Sequence, residues 1–305
     1  MRYRYYTADV FTDRAFGGNQ LAVIPDARGL TTAQMQAIAN EFNYAESTFV
    51  LPPDNRAHTR RVRIFTPRNE LPFAGHPTVG TAFVLAAIGE IALTGEETSA
   101  VLEEGVGGVP VKIRSCDGKP VFAQLQAARR PEFGPEPPSR EEIAAALSLT
   151  VDDLPPSHPP RGVTAGLPFL FVPLRGRAAV GRAKINAEAW ERVLARWWSP
   201  YPFVFAFDGE RAGSDVHARM FAPSEGIPED PATGSACAAL GGLLAHWDGR
   251  ASGTLRWVVE QGFEMGRPSI LEVEADRQDG CTTAVRVGGS VVMMSEGTIN
   301  VPPVP

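Results

Sequence analysis

Cysteine is scarce in this chain. Cys116, Cys237 and Cys281 are the only three, and no two of them form a Cys-x-x-Cys pair. That spacing suggests neither a disulfide framework nor a thiolate zinc site. The five histidines contain no His-Glu-x-x-His pair either, so no metal is expected. Long apolar runs are also missing. None approaches the roughly 20 residues that a membrane-spanning helix needs, and "MRYRYYTADVFTDRAFGGNQ" lacks the apolar core of a secretion signal. A cytoplasmic protein with no membrane partner is the expectation. Positive charge never gathers into a stripe: 29 Lys and Arg stand against 35 Asp and Glu, for a net charge of −6. Nucleic acid is therefore not the expected partner. No G-x-G-x-x-G stands between a strand and a helix, so "EEGVGGVPVKI" reads as a hairpin turn rather than a dinucleotide site. Ser235 lacks the G-x-S-x-G elbow of a hydrolase nucleophile.

What is present is an ordinary globular composition, 44% hydrophobic and 21% charged over 305 residues, enough for two domains with real cores. The chain also writes one phrase twice. "FTPRNELPFAGHPTVGTAFVLAAIGE" starts at Phe65 and "FAPSEGIPEDPATGSACAALGGLLAH" at Phe221. Before the first stand "DVFTDRAFGGNQLAVI", a helix-like "TTAQMQAIANEF" and a strand-like "STFVL". Before the second stand "GVTAGLPFLFVPL", a helix-like "NAEAWERVLARWW" and "PFVFAFD". Two copies are too few for a solenoid, so a duplicated domain with a cleft at a pseudo-twofold axis is the simplest architecture.

The helices differ in kind. In "TTAQMQAIANEF", Met35, Ile38, Ala39 and Phe42 recur at helical spacing behind Thr31 or Thr32 as N-cap, which describes an amphipathic helix lying on a sheet. "TVGTAFVLAAI" and "TGSACAALGGLLA" are apolar or small nearly all round, as expected of helices surrounded by protein. Ser139 and Glu142 form a capping box after the proline-rich "RRPEFGPEPP". The domain boundary is placed there, giving residues 1–126 and 127–305.

The knots "AGHPTVG" and "PATGSA" put glycine and threonine where a buried helix begins. Backbone N–H groups there lack intrahelical partners and attract anions. They read either as ordinary caps, with Thr78 and Thr233 satisfying the backbone, or as two halves of a carboxylate site in one cleft. His76 in one knot and Asp230 in the other favour a site, because caps need neither. Glu46, in "NYAESTFV", stands at the mouth of an apolar strand, where partial desolvation would raise its pKa and suit it to general base work. An exposed glutamate at a strand start is the alternative.

The segments "DVFTDRAFGGNQLAVI", "NYAESTFV", "FTPRNELPFAGHPTVGTA" and "DPATGSACAAL", in this order across nearly the whole chain, resemble the PhzF-like (phenazine biosynthesis) family of the diaminopimelate epimerase-like superfamily. The resemblance implies an α+β fold of two pseudo-symmetric domains, each a curled, barrel-like mixed β-sheet around a central helix. It implies an active site in the interdomain cleft and no cofactor. The last strand, about 290–305, is expected to return to the first domain. Matched motif to motif, the acid/base carboxylate falls on Glu46, with His76 and Asp230 as the other catalytic residues. Donors to a substrate carboxylate fall on Gly75, Gly234 and Ser235. A homodimer is suggested too.

The wider superfamily's epimerases carry a cysteine at each of the two helix starts. Here both knots lack one, since Cys237 falls inside the second helix. The second repeat also lacks a carboxylate where the first has Glu46. A single carboxylate most naturally takes and returns a proton on one face. The resulting expectation is a cofactor-independent isomerase acting on a small carboxylate, for example a cyclic amino acid. Two alternatives stay open: a metabolite-binding or scaffolding protein with an anion pocket and no turnover, and a two-base epimerase or racemase.

Overall fold

The computed structural model describes residues 1–302. The chain forms two compact units, one of residues 1–128 with 288–305 and the other of residues 129–287. In chain order the first contains β1 (Arg2–Val10), β2 (Asn19–Ile24), α1 (Thr32–Phe42), β3 (Glu46–Leu51), β4 (Arg60–Phe65), β5 (Glu70–Leu71), α2 (Gly75–Ala87), β6 (Glu97–Glu104), β7 (Gly107–Cys116) and β8 (Lys119–Gln126). The second contains β9 (Glu132–Phe133), α3 (Arg140–Ala146), β10 (Arg161–Thr164), β11 (Pro168–Pro173), α4 (Arg177–Arg182), α5 (Ala187–Val193), β12 (Pro202–Ala206), β13 (Val216–Ala222), β14 (Ile227–Asp230), α6 (Gly234–Asp248), β15 (Gly253–Gln261), β16 (Ser269–Gln278) and β17 (Cys281–Gly289). The closing strand β18 (Val291–Asn300) pairs antiparallel with β1.

The two units repeat one pairing pattern. In the first, β1–β2 is antiparallel, β2–β3 parallel, β3–β4 and β4–β5 antiparallel, β4–β6 parallel and β6–β7 antiparallel. In the second, the same sequence of senses runs through β10–β11, β11–β12, β12–β13, β13–β14, β13–β15 and β15–β16. The duplicated phrase is thus a strand end, a tight turn, a short strand and a helix. An arginine clamps the short strand in each copy: Arg63 donates to both oxygens of Glu70 at 2.7 and 2.6 Å, and Arg219 to both oxygens of Glu229 at 2.8 and 2.7 Å. Such bidentate pairs fix geometry as well as charge.

The sheet of the first unit curls around α2, which touches β1, β2, β3, β6, β7, β8 and β18. Every residue from Gly75 to Ala86 is buried, which is why this helix has no polar face. Gly80 is where the sheet comes closest: a Cβ there would lie 2.5 Å from Leu21 Cδ2 and 2.6 Å from Val10 Cγ2. Helix α6 is likewise buried along Ala236–Ala245. Outside the curl, α1 lays Met35, Ile38 and Ala39 on Ile24, Phe49 and Phe65. It begins at Thr31 in a capping box with Gln34, and α3 begins at Ser139 in one with Glu142. The helix-like "NAEAWERVLARWW" ends earlier than its pattern, at Val193. Trp197 and Trp198 then turn away and lie against Gly162 and Gly134.

Candidate active site

Glu46 is the first residue of β3, and alternation puts it on the same face as Thr48. Thr48 Oγ1 meets Thr81 Oγ1 of α2 at 2.8 Å, so that face points at the buried helix. Two residues back along the strand is about 6.6 Å, and five residues back along the helix is about 7.5 Å. Those similar spans bring Glu46 level with His76 in the first turn of α2, and its Oε2 lies 3.4 Å from His76 Nδ1. The Glu46 side chain is 14% exposed and that of His76 is 4% exposed.

This contact has ion-pair distance without being an ion pair. Burial pulls the His76 pKa down to about 3, with the Gln20 carbonyl opposing the shift only in part, so the ring is neutral at ordinary pH. Its Nε2–H donates to the Gln20 carbonyl at 3.3 Å. Nδ1 is then an acceptor, and the Asn19 amide donates to it at 3.2 Å. The one lone pair of Nδ1 is taken by Asn19, so Glu46 stands beside a ring that carries no charge to hold it as a carboxylate.

In the second unit, Asp230 ends β14 and is buried, and Thr233 donates to its Oδ2 at 2.5 Å. Gln261 staples this knot. Its amide nitrogen donates to the Asp230 carbonyl at 2.7 Å and to Thr233 Oγ1 at 3.0 Å, and its Oε1 accepts from the Thr233 N–H at 3.1 Å. Neither Thr78 nor Thr233 caps its helix through its side chain: the N-cap of α2 is Ala74, and Thr233, the N-cap of α6, makes no side-chain cap bond. Gly75 is the first residue of α2, and Gly234 and Ser235 are the first two of α6, so their N–H groups belong to the set that a helix does not satisfy internally. Asn19, Gln20 and Gln261 are the site residues that pattern reading missed.

Cys237 is fully buried in α6, and burial, helped by the charge of Asp230, drives its thiol far above the ordinary range. A thiol in that state does not form the nucleophilic or basic thiolate. Cys237→Ala is expected to cost about 1 kcal/mol of stability in denaturant unfolding and to leave turnover unchanged. A loss of turnover as large as that of a Glu46 variant would restore a thiol mechanism.

His217 is buried but spent. Its Nδ1 donates to Glu260 at 2.6 Å and its Nε2 to Glu264 at 2.8 Å. Burial pulls its pKa down, yet the two carboxylates outweigh that and raise it. Among the described residues no group of three or more His, Cys, Asp or Glu is arranged to hold a metal ion, and no helix is long and apolar enough to cross a membrane.

Residues 8–297 match the family described as "Phenazine biosynthesis-like protein". An isomerase of Mesorhizobium japonicum, named as uncharacterized, is 40% identical over 301 residues, covering 97% of this chain and 98% of the relative. The trans-2,3-dihydro-3-hydroxyanthranilate isomerase of Pseudomonas aeruginosa is 36% identical over 296 residues, covering 97% and 98%. The crystal structure of a Bacillus anthracis phenazine biosynthesis protein of the PhzF family superposes with a TM-score of 0.89 at 26% identity, over 99% of this chain and all of that one.

Proposed function

Because the chain belongs to the PhzF-like, phenazine biosynthesis-like family and is an isomerase of that type, we propose that it moves a proton between two carbons of a small carboxylate, with Glu46 as the single acid/base. The observation that carries this reading is the Glu46–His76 contact, in which a nearly buried carboxyl faces an imidazole held neutral. Glu46 as carboxylate removes a proton from a C–H next to an electron-withdrawing group. The proton rests on that oxygen beside the neutral ring of His76, and it then returns from the same oxygen to a second carbon. A neutral His76 has no extra proton to give from an opposing face.

The roles proposed for the helix starts are electrostatic. The N–H groups at Gly75, Gly234 and Ser235 receive the substrate carboxylate and stabilise the negative charge that develops as the C–H bond breaks. Asp230, fixed by Thr233 and Gln261, accepts a hydrogen bond from the substrate's amino or hydroxyl group. No cofactor takes part in this scheme. The substrate class is that of a small cyclic amino acid, since a relative 36% identical bears the name of a dihydro-hydroxyanthranilate isomerase.

Proton NMR tests the reading on a set of small carboxylates with an acidic C–H, beginning with trans-2,3-dihydro-3-hydroxyanthranilate. At least one is expected to show its C–H signal migrate to a new carbon. A set in which compounds bind but no C–H moves or exchanges would leave a binding protein.

A further inference from the structure

Glu104 closes β6 just behind the first turn of α2, and it is only 7% exposed. Its Oε1 lies 2.7 Å from Thr78 Oγ1, and the same hydroxyl lies 2.7 Å from the Ala74 carbonyl. A hydroxyl has one proton to give. The carbonyl can only accept, so both contacts are hydrogen bonds only if that proton goes to Ala74 and Thr78 Oγ1 accepts from Glu104. Only a protonated carboxyl can make that donation. Glu104 Oε2 has no hydrogen-bond partner, a state far less costly for a neutral acid than for a buried carboxylate. The turn after Glu104 also packs on the segment that leads into α2, where a Cβ on Gly105 would lie 2.8 Å from Pro72 Cα.

We propose that Glu104 is a positioning residue for the start of α2: as a neutral acid it fixes the Ala74 carbonyl through Thr78, and by staying uncharged it leaves the positive end of the helix to the substrate carboxylate. The second half of this statement rests on the isomerase reading above; the first does not. Burial supports it by raising the Glu104 pKa to about 8, a shift that a Thr78 hydroxyl turned to donate to the carboxylate would offset only in part. No ionic partner opposes that shift. On its own strand Glu103 is taken by the Asn55 N–H and His58. On β4, Arg61 is paired with Asp54. On β7 the residue opposite is Gly107, and His76 on α2 is neutral.

The sign of the linkage follows. A carboxyl whose folded pKa is raised from about 4.5 to about 8 contributes stability below the unfolded value, and that stability is lost as pH rises through the folded value. Denaturant unfolding of the wild-type chain and of Glu104→Gln, measured from pH 5 to pH 9, reads this directly. The wild-type folding constant, taken relative to the variant, is expected to fall about tenfold per pH unit up to about pH 8 and then level off. Parallel curves would overturn the proposal. Carbon NMR of glutamate-labelled protein gives a second measurement that needs no variant stability. A carboxyl signal titrating near pH 8, absent in Glu104→Gln, is expected, and its titration near pH 4.5 instead would refute the neutral acid. With a substrate in hand, wild-type KM should rise about fivefold from pH 8 to pH 9 while that of Glu104→Gln stays flat. If the stability and NMR results hold and no carboxylate is turned over, the isomerase reading fails and the positioning of α2 stands. If turnover is found and KM is equally flat in both proteins, the electrostatic half fails.

Discussion

Glu46→Gln is expected to lower turnover by at least ~10²-fold while ligand affinity and folding stability survive. Glutamine keeps the shape of the side chain at the first position of β3, so the strand and its Thr48–Thr81 contact with α2 are untouched. Asn19 goes on donating to His76 Nδ1 in the variant, so the neutral imidazole keeps its partner. What glutamine cannot do is accept a proton at neutral pH. The effect should therefore appear in kcat and not in calorimetric Kd. A variant that retained kcat within a few fold would remove Glu46 from the chemistry.

The largest effect on stability is expected from Gly262→Ala. Gly262 has φ +78°, and a Cβ there would lie 2.5 Å from the Arg267 carbonyl oxygen and 2.6 Å from that of Pro231. Neither atom is the end of a flexible side chain, so the backbone itself must move. The left-handed conformation alone costs a non-glycine residue about 1 kcal/mol or more, and the two overlaps bring the expected loss to about 3 kcal/mol or above. Pro231 follows Asp230 directly, and Gln261, which staples Asp230 and Thr233, precedes Gly262. Turnover should fall along with the urea midpoint. A change within about 0.5 kcal/mol, the range of an inert surface substitution, would mean that the Asp230 knot is not held by this turn.

Local chemistry in the sequence was readable where its partners are close in the chain. Ser139 with Glu142 forms the capping box that the pattern puts there, and Thr31, one of the two threonines offered, caps α1, where its box with Gln34 went unread. The helices without a polar face are the buried ones, because burial on every side removes any need for polar residues. The duplicated phrase carried the fold further, since both copies build the same strand, turn, short strand and helix. A further signal went unread in it: Arg63 and Arg219 each stand two residues before the repeated phenylalanine and clamp a glutamate on the next strand.

Contacts between distant residues were not readable. Asn19 and Gln20 tune His76 from β2, and nothing in "GGNQ" marks a side-chain amide as a donor to an imidazole. Glu104 looks like an ordinary turn carboxylate, and only the position of Thr78 shows otherwise. Helix α4 was hidden for another reason: "RAAVGR" is too short to show a period.

The account centres on one carboxyl that both takes and returns the proton, and a labelled substrate tests it most directly. The substrate is deuterated at the position that loses hydrogen and turned over in ordinary water. Glu46 is largely shielded from solvent, with 14% of its side chain exposed, so part of the deuterium is expected to be carried to the second carbon on the same face before it exchanges. Inversion at a single carbon with complete incorporation of solvent hydrogen would contradict the single-carboxyl mechanism and point to two bases, with Asp230 or His76 as the opposing acid.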